Sequence, residues 1–148
     1  MRLLEITGDN WEEVAELTSE PNGKAALYEE FVAGNAYSML QAFFEKNWTT
    51  RALEQEGKLV GFAMFGKGQQ DFTEICRLMI DRRFQNKGLG RQALLLIIEE
   101  MKKDPCLKEI YISAEPQNKR AIHLYKSFGF KDTGIIKDGE LLLVMQLK

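Results

Sequence analysis

Histidine occurs once, at position 123, and cysteine twice, at 76 and 106, in a chain of 148 residues. One histidine and two distant cysteines offer no metal-ligand spacing and no disulfide framework, so neither a zinc site nor a crosslinked fold is expected. So few cysteines suit a reducing compartment, and a cytoplasmic location is expected. No apolar stretch reaches the ~18 residues that a membrane span requires. Glu5 and Asp9 come too early for a secretory signal. Repeats and low-complexity linkers are absent, and the length suits one core, so residues 1–148 are expected to form a single domain. An excess of positive charge is absent too. The net charge is −2, which argues against a nucleic-acid partner.

What is present is asymmetric. Residues 1–74 carry 6 Lys/Arg against 13 Asp/Glu, and residues 75–148 carry 14 against 9. An acidic half can attract a cation, and a basic half a polyphosphate; solvated surface charge would give the same count. Apolar spacing and turn residues predict a mixed α/β order. Residues 2–7 read as a strand, and Asp9 or Asn10 can cap a helix through Leu17. Residues 24–47 read as mostly helical, interrupted near Gly34-Asn35. Strands are expected at 49–55, 59–66 and 72–80, with a hairpin turn at Glu56-Gly57. A helix from Leu89 would bury Ala93, Leu94, Ile97, Ile98 and Met101. A strand at 109–114 would put Ile110, Ile112 and Ala114 on one face. Pro116 suits the first turn of a further helix bearing Ala121, Leu124, Tyr125 and Phe128, which stops at Gly129. The tail reads as two strands joined at Asp138-Gly139.

The run Gln85-Asn86-Lys87-Gly88-Leu89-Gly90 joins a strand to a helix. Its glycines allow close backbone approach, and the free N–H groups of the helix start carry positive potential. A pyrophosphate fits there, with Arg82, Arg83, Lys87 and Arg91 adding charge. No Gly-Lys-Ser/Thr follows, so the P-loop pattern fails. Gly88-Leu-Gly90-Arg-Gln-Ala93 matches the dinucleotide fingerprint in part, with Glu109 lying 21 residues after Gly88. The intervening 81–87 and the short chain weigh against that reading. A glycine turn that merely starts a helix is the plain alternative.

Q-x-x-G-x-G entering a helix resembles the coenzyme A pyrophosphate loop of the GNAT N-acetyltransferase superfamily. Asn118-Lys-Arg-Ala121-Ile-His-Leu-Tyr125-Lys-Ser-Phe-Gly129-Phe130 resembles that superfamily's second signature. The stretches from Met79 to Gly90 and from Ile110 to Asn118 look most like bacterial diamine and spermine/spermidine acetyltransferases. The resemblance implies an acyl-CoA N-acyltransferase fold: a mixed, mostly antiparallel sheet of about seven strands flanked by about four helices. It implies acetyl-CoA as co-substrate, no metal, and a small primary amine such as a polyamine as acceptor. It also makes a homodimer reasonable, although no pattern specifies one. Nucleic acid and membrane are not expected as partners.

By the same resemblance, Leu78, Met79 and Ile80 would lie along the pantetheine. A backbone N–H of Met79 or a neighbour would face the thioester oxygen. Gln85, Asn86, Lys87, Gly88, Leu89, Gly90 and Arg91 would hold the pyrophosphate, and Asn118 would hydrogen-bond the cofactor. Tyr125 would protonate the leaving thiolate; by periodicity alone it reads as a core tyrosine. Glu74, eleven residues before Gln85, is the candidate base. Period two would place it with Phe72, Cys76, Leu78 and Ile80 on one face. Its plain alternative is a salt-bridged surface carboxylate. Glu115 is a second candidate for amine binding. His123 reads as a surface residue and Cys76 as a buried strand cysteine, so no covalent acetyl-enzyme is expected. The expected mechanism is direct attack in a ternary complex. The alternatives are a different amine (a protein N-terminus or an aminoglycoside), a non-catalytic acyl-CoA binder, or a nicotinamide dinucleotide binder.

Overall fold

The computed structural model describes residues 1–68 and 71–147. Seven strands form one sheet: β1 (Arg2–Leu4), β2 (Trp48–Gln55), β3 (Lys58–Gly66), β4 (Glu74–Ile80), β5 (Glu109–Ala114), β6 (Lys131–Lys137) and β7 (Glu140–Gln146). Their spatial order is β1-β2-β3-β4-β5-β7-β6. Neighbours pair antiparallel except β4 and β5, which are parallel. The helices are α1 (Trp11–Glu16), α2 (Asn35–Glu45), α3 (Leu89–Met101) and α4 (Lys119–Ser127), and a short 3-10 turn spans Arg82–Phe84.

One face of the sheet packs on α3 and α4. The α3 residues Ala93, Leu94, Ile97, Ile98 and Met101 are buried as the periodicity predicts, Ala93 against Leu53 and Val60 and the others against Ile75, Ile110, Ile112, Ala114 and Leu143. On the other face, Val14 of α1 and the half-buried Met39 and Ala42 of α2 cover Phe62, Met64 and Met79. Both expected hairpin turns form. Glu56-Gly57 and Asp138-Gly139 each hold two consecutive positive φ angles, the geometry that fits the twist of paired strands.

Two expectations fail locally. Residues 24–34 are not helical; α2 begins only at Asn35. The buried Glu29 carboxylate explains this. It accepts bonds from the hydroxyls of Thr18 and Ser19 and from the N–H groups of Ser19 and Ala26. Those bonds tie the segment to the loop after α1. The chain then folds back on itself at Gly34, where a Cβ would collide with the Ala26 carbonyl oxygen. Pro116 also falls outside α4, in the turn before it. The helix is capped instead by Asn118, whose side chain accepts from the Ala121 N–H at 3.3 Å.

Candidate acetyl-transfer site

The β4–β5 pairing covers only Glu74↔Tyr111 and Ile75↔Ile112. Beyond these residues the register ends, and a cleft of about 790 Å³ is lined from both strands. Its walls include Leu78, Met79 and Ile80 of β4, the loop Gln85–Asn86, Gly88 to Arg91 at the start of α3, and Asn118 and Tyr125 at α4. Of the residues expected to hold the cofactor, only Lys87 lies off this wall; it is exposed, with its ammonium over the Phe84 ring.

The loop geometry fits a phosphate group. Asn86 (φ 63°) and Gly88 (φ 76°) both adopt left-handed backbone. Gln92 N–H makes its helical bond to the Gly88 carbonyl at 3.3 Å, which leaves the N–H groups of Leu89, Gly90 and Arg91 without a partner inside the helix. A Cβ at Gly88 would meet nothing within 4 Å, and one at Gly90 would meet only Leu124 Cδ2 at 4.0 Å. Arg91 donates to Ser127 Oγ at 2.9 Å, bridging the two helices that flank the cleft.

Asp81 anchors this loop. Its carboxylate accepts from the Thr18 N–H, the Arg83 N–H and Arg83 Nε at 2.8–3.0 Å. Burial alone would raise its pKa, but the hydrogen bonds from Arg83 and Thr18 outweigh that and hold it below the usual carboxylate range. Gln85 Nε2 donates to the Ile80 carbonyl at 3.0 Å and ties the loop back to β4.

The phase of the β3–β4 ladder decides which backbone groups face the cleft. Asp81 N–H donates to Val60 O at 2.8 Å. Bonded and non-bonded pairs alternate in an antiparallel ladder, and Phe62 pairs with Met79. The Met79 N–H is therefore spent on β3. Leu78 and Ile80 turn their N–H groups toward the gap. A donor aimed at the cleft thus belongs to the neighbours of Met79, as the ladder rule could have told from register alone.

The single-face expectation for β4 is corrected. Register slips between Met64↔Arg77 and Phe65↔Ile75, so Cys76 has no partner in the pairing. Ile75 and Leu78 pack toward α3, whereas Cys76 packs with Met79 toward α1 and α2. Arg77 shares the second face, donating to Gln41 of α2 at 3.2 Å. A bulge inserts one residue and reverses the alternation beyond it. Glu74 and Cys76 therefore lie on the face opposite Leu78 and Ile80.

That face also floors a second cavity of about 500 Å³. Its lining includes Cys76, Arg77, Ser113, Glu115, Asp138 and Glu140, and Tyr28, Glu30, Phe31 and Tyr37 wall it. Glu30, Phe31, Val32, Leu78, Ser113 and Tyr125 line both cavities, so the two communicate there. Tyr125 is 9% exposed, and burial, reinforced by Glu140, pushes its phenol up to about 12. Glu115 lines the second cavity, with Gln117 Nε2 donating to it at 3.0 Å. Glu74 lines neither cavity; it sits level with Tyr111, one side-chain row below Ser113. Burial raises its pKa, with Arg77 and Lys137 opposing. Burial pushes the Cys76 thiol up to about 12, which suppresses its thiolate. His123 is exposed at the cleft rim. With Arg77, Ser113 and Asp138, Glu140 is among the polar cavity residues that sequence reasoning missed. The turn signal beside it marked a hairpin, and only strand pairing brings it to Ser113.

Among the described residues, no group of three His, Cys, Asp or Glu could hold a metal ion, and no helix is long and apolar enough to cross a membrane.

Residues 11–130 match the model of the acetyltransferase (GNAT) family. The chain is 37% identical over 103 residues to the spermine/spermidine N(1)-acetyltransferase of Bacillus subtilis, covering 64% of this chain and 68% of that one. It is 31% identical over 83 residues to the ribosomal protein bS18-alanine N-acetyltransferase of Escherichia coli, covering 56% and 55%. Its fold matches an aminoglycoside acetyltransferase in complex with coenzyme A, with TM-score 0.76 and 17% identity over 98% of this chain and 94% of that one. The split sheet, the glycine loop at the helix start and the family match agree: the chain belongs to the GNAT family and is an acetyl-CoA-dependent N-acetyltransferase.

Proposed function

We propose that the acceptor is a small polyamine, spermidine or spermine, acetylated on a primary amine by direct attack in a ternary complex. The observation that carries this reading is the second cavity. It presents the carboxylates of Glu30, Glu115, Asp138 and Glu140, with the aromatic rings of Tyr28, Phe31 and Tyr37, beside the cleft that suits acetyl-CoA. Carboxylates and aromatic faces both attract a flexible polycation. The similarity to the Bacillus polyamine enzyme supports the same class.

In this reading the N–H groups of Leu89, Gly90 and Arg91 receive the pyrophosphate, and the free N–H of Leu78 or Ile80 stabilises charge on the thioester oxygen. Gln85 and Asn86 shape the loop, and Asn118 lines the cofactor side. Tyr125 donates its proton to the departing sulfur. Glu115 helps to hold the cationic acceptor.

One observation favours a second reading. Arg77 lines the acceptor cavity, and its buried Nε has no hydrogen-bond partner among the described residues. A cation there suits an acceptor that also carries a carboxylate, such as a peptide. Thiol release from acetyl-CoA, followed side by side with spermidine, spermine, putrescine and a peptide amine, separates the two. Preference for the polyamines is expected. Turnover confined to the peptide would refute the polyamine assignment.

A further inference from the structure

An alkyl ammonium of pKa ~10.4 must lose a proton before its nitrogen can attack. The group that accepts it has to stand in the acceptor cavity, near the point where that cavity meets the cofactor cleft. Glu74 lines neither. Glu115 is engaged by Gln117, and Glu30, although it lines both cavities, is exposed.

Glu140 meets the requirement. The β5–β7 ladder runs to Ala114↔Leu141, with Ser113 opposite Leu142. One further step sets Glu140 level with Glu115. Alternation then puts Glu140 on the face of Ser113 and Glu115, opposite the face that buries Ile112 and Ala114. It lines the acceptor cavity together with Tyr125. We infer that Glu140 is the proton acceptor for the amine, an assignment that rests on the amine-acetylation reading above.

The surroundings suit the task. Burial raises the Glu140 pKa, Arg77 opposes, Glu115 and Asp138 raise it, and a hydrogen bond from Ser113 lowers it. Glu74 and Arg77 face it from β4, Ser113 and Glu115 from β5, Tyr125 from α4, Asp138 from the turn and Glu30 from the loop before α2. A carboxylate moved upward narrows its gap to the ammonium and becomes a stronger base.

The proton count closes. Glu140 takes one proton from R–NH3⁺, and the nitrogen lone pair forms its bond to the acetyl carbon as the carbon–sulfur bond breaks. The sulfur takes the Tyr125 phenol proton. The surplus proton on the new amide nitrogen restores that phenol, and Glu140 releases its own to solvent. Each transfer yields one acetamide, one thiol and one free proton.

The test compares wild type with Glu140→Gln, Glu74→Gln and Ser113→Ala on two acceptors: spermidine and trifluoroethylamine, a primary amine already neutral at pH 7. Glu140→Gln should lower kcat/KM for spermidine at pH 7 by ~100-fold or more. The loss should shrink as pH approaches the amine's own pKa and be small with trifluoroethylamine, while coenzyme A affinity stays unchanged. Ser113→Ala should shift the acidic limb of kcat/KM to higher pH, because it removes a bond that lowers the Glu140 pKa. Equal loss on both amines would overturn the inference, as would an acidic limb that disappears in Glu74→Gln and persists in Glu140→Gln. If Glu140→Gln fails to bind coenzyme A, Ser113→Ala decides, and an unmoved limb overturns the inference. A wild-type enzyme inactive on every amine would refute the acceptor reading and this inference with it. Normal turnover by Glu140→Gln would sink this inference alone.

Discussion

Replacing Tyr125 by phenylalanine removes one oxygen from a ring that is 9% exposed and packed 6.2 Å from Phe130. The ring stays, so the cost to stability at neutral pH should be no more than about 1 kcal/mol. The chemistry should suffer far more. The phenol lies at about 12, and a free thiol near ~8.5. A lone transfer from phenol to thiolate would thus run uphill by several kcal/mol, on the order of 5. The phenol therefore has to act as a relay, giving a proton to sulfur while the nitrogen returns one. Without it, kcat should fall ~100-fold or more, with coenzyme A affinity nearly unchanged. The same burial makes a stability prediction of definite sign. The folded pKa exceeds the ordinary value of 10.0, so the folded state holds this proton more tightly. That contribution is fully present below pH ~10 and is lost as pH rises through ~12, an amount on the order of 3 kcal/mol. Urea titrations at pH 8 and in strong alkali should show Tyr125→Phe gaining on wild type by that order. Matching alkaline losses in both proteins would refute the burial argument. A parallel fall in kcat and coenzyme A affinity, or no fall in kcat, would remove Tyr125 from the relay.

Two further outcomes follow from the loop. A Cβ at Gly90 would have only Leu124 nearby, at 4.0 Å, so Gly90→Ala should fold normally, whereas Gly90→Trp should abolish coenzyme A binding in a calorimetric titration while leaving the circular dichroism unchanged. Asp81 is 2% exposed and held below its usual range, so its contribution is present above pH ~4 and is lost as pH falls through its lower folded value; Asp81→Asn should cost ~1–3 kcal/mol in urea at pH 7, a gap that narrows in acid.

The parts of the molecule that were legible in the sequence are those set by near neighbours. The α3 stripe follows from helical spacing, and the hairpins at Glu56-Gly57 and Asp138-Gly139 follow from residues that tolerate positive φ. The cleft loop was legible for the same reason, since strand, glycines and helix start are consecutive. Residues 24–34 misled because their spacing is compatible with a helix. The group that organises them, the Glu29 carboxylate, bonds to Thr18 and Ser19 ten or eleven residues earlier in the same connection. The β4 bulge left no trace in composition, and one extra residue was enough to separate Glu74 and Cys76 from Leu78. Glu140 was hidden by chain distance. It reaches Ser113 only because β7 inserts between β5 and β6.

The short β4–β5 contact has a mechanical meaning. Two stiff plates, β1 to β4 and β5-β7-β6, share only two residue pairs along their parallel border. The border acts as a weld at one end of a seam, and the rest of the seam is open. A ligand lying in the opening touches both plates and lends the sheet rigidity that its own hydrogen bonds do not supply. Occupancy and stiffness are then coupled, and the protein is held most firmly when it carries the molecule it acts upon.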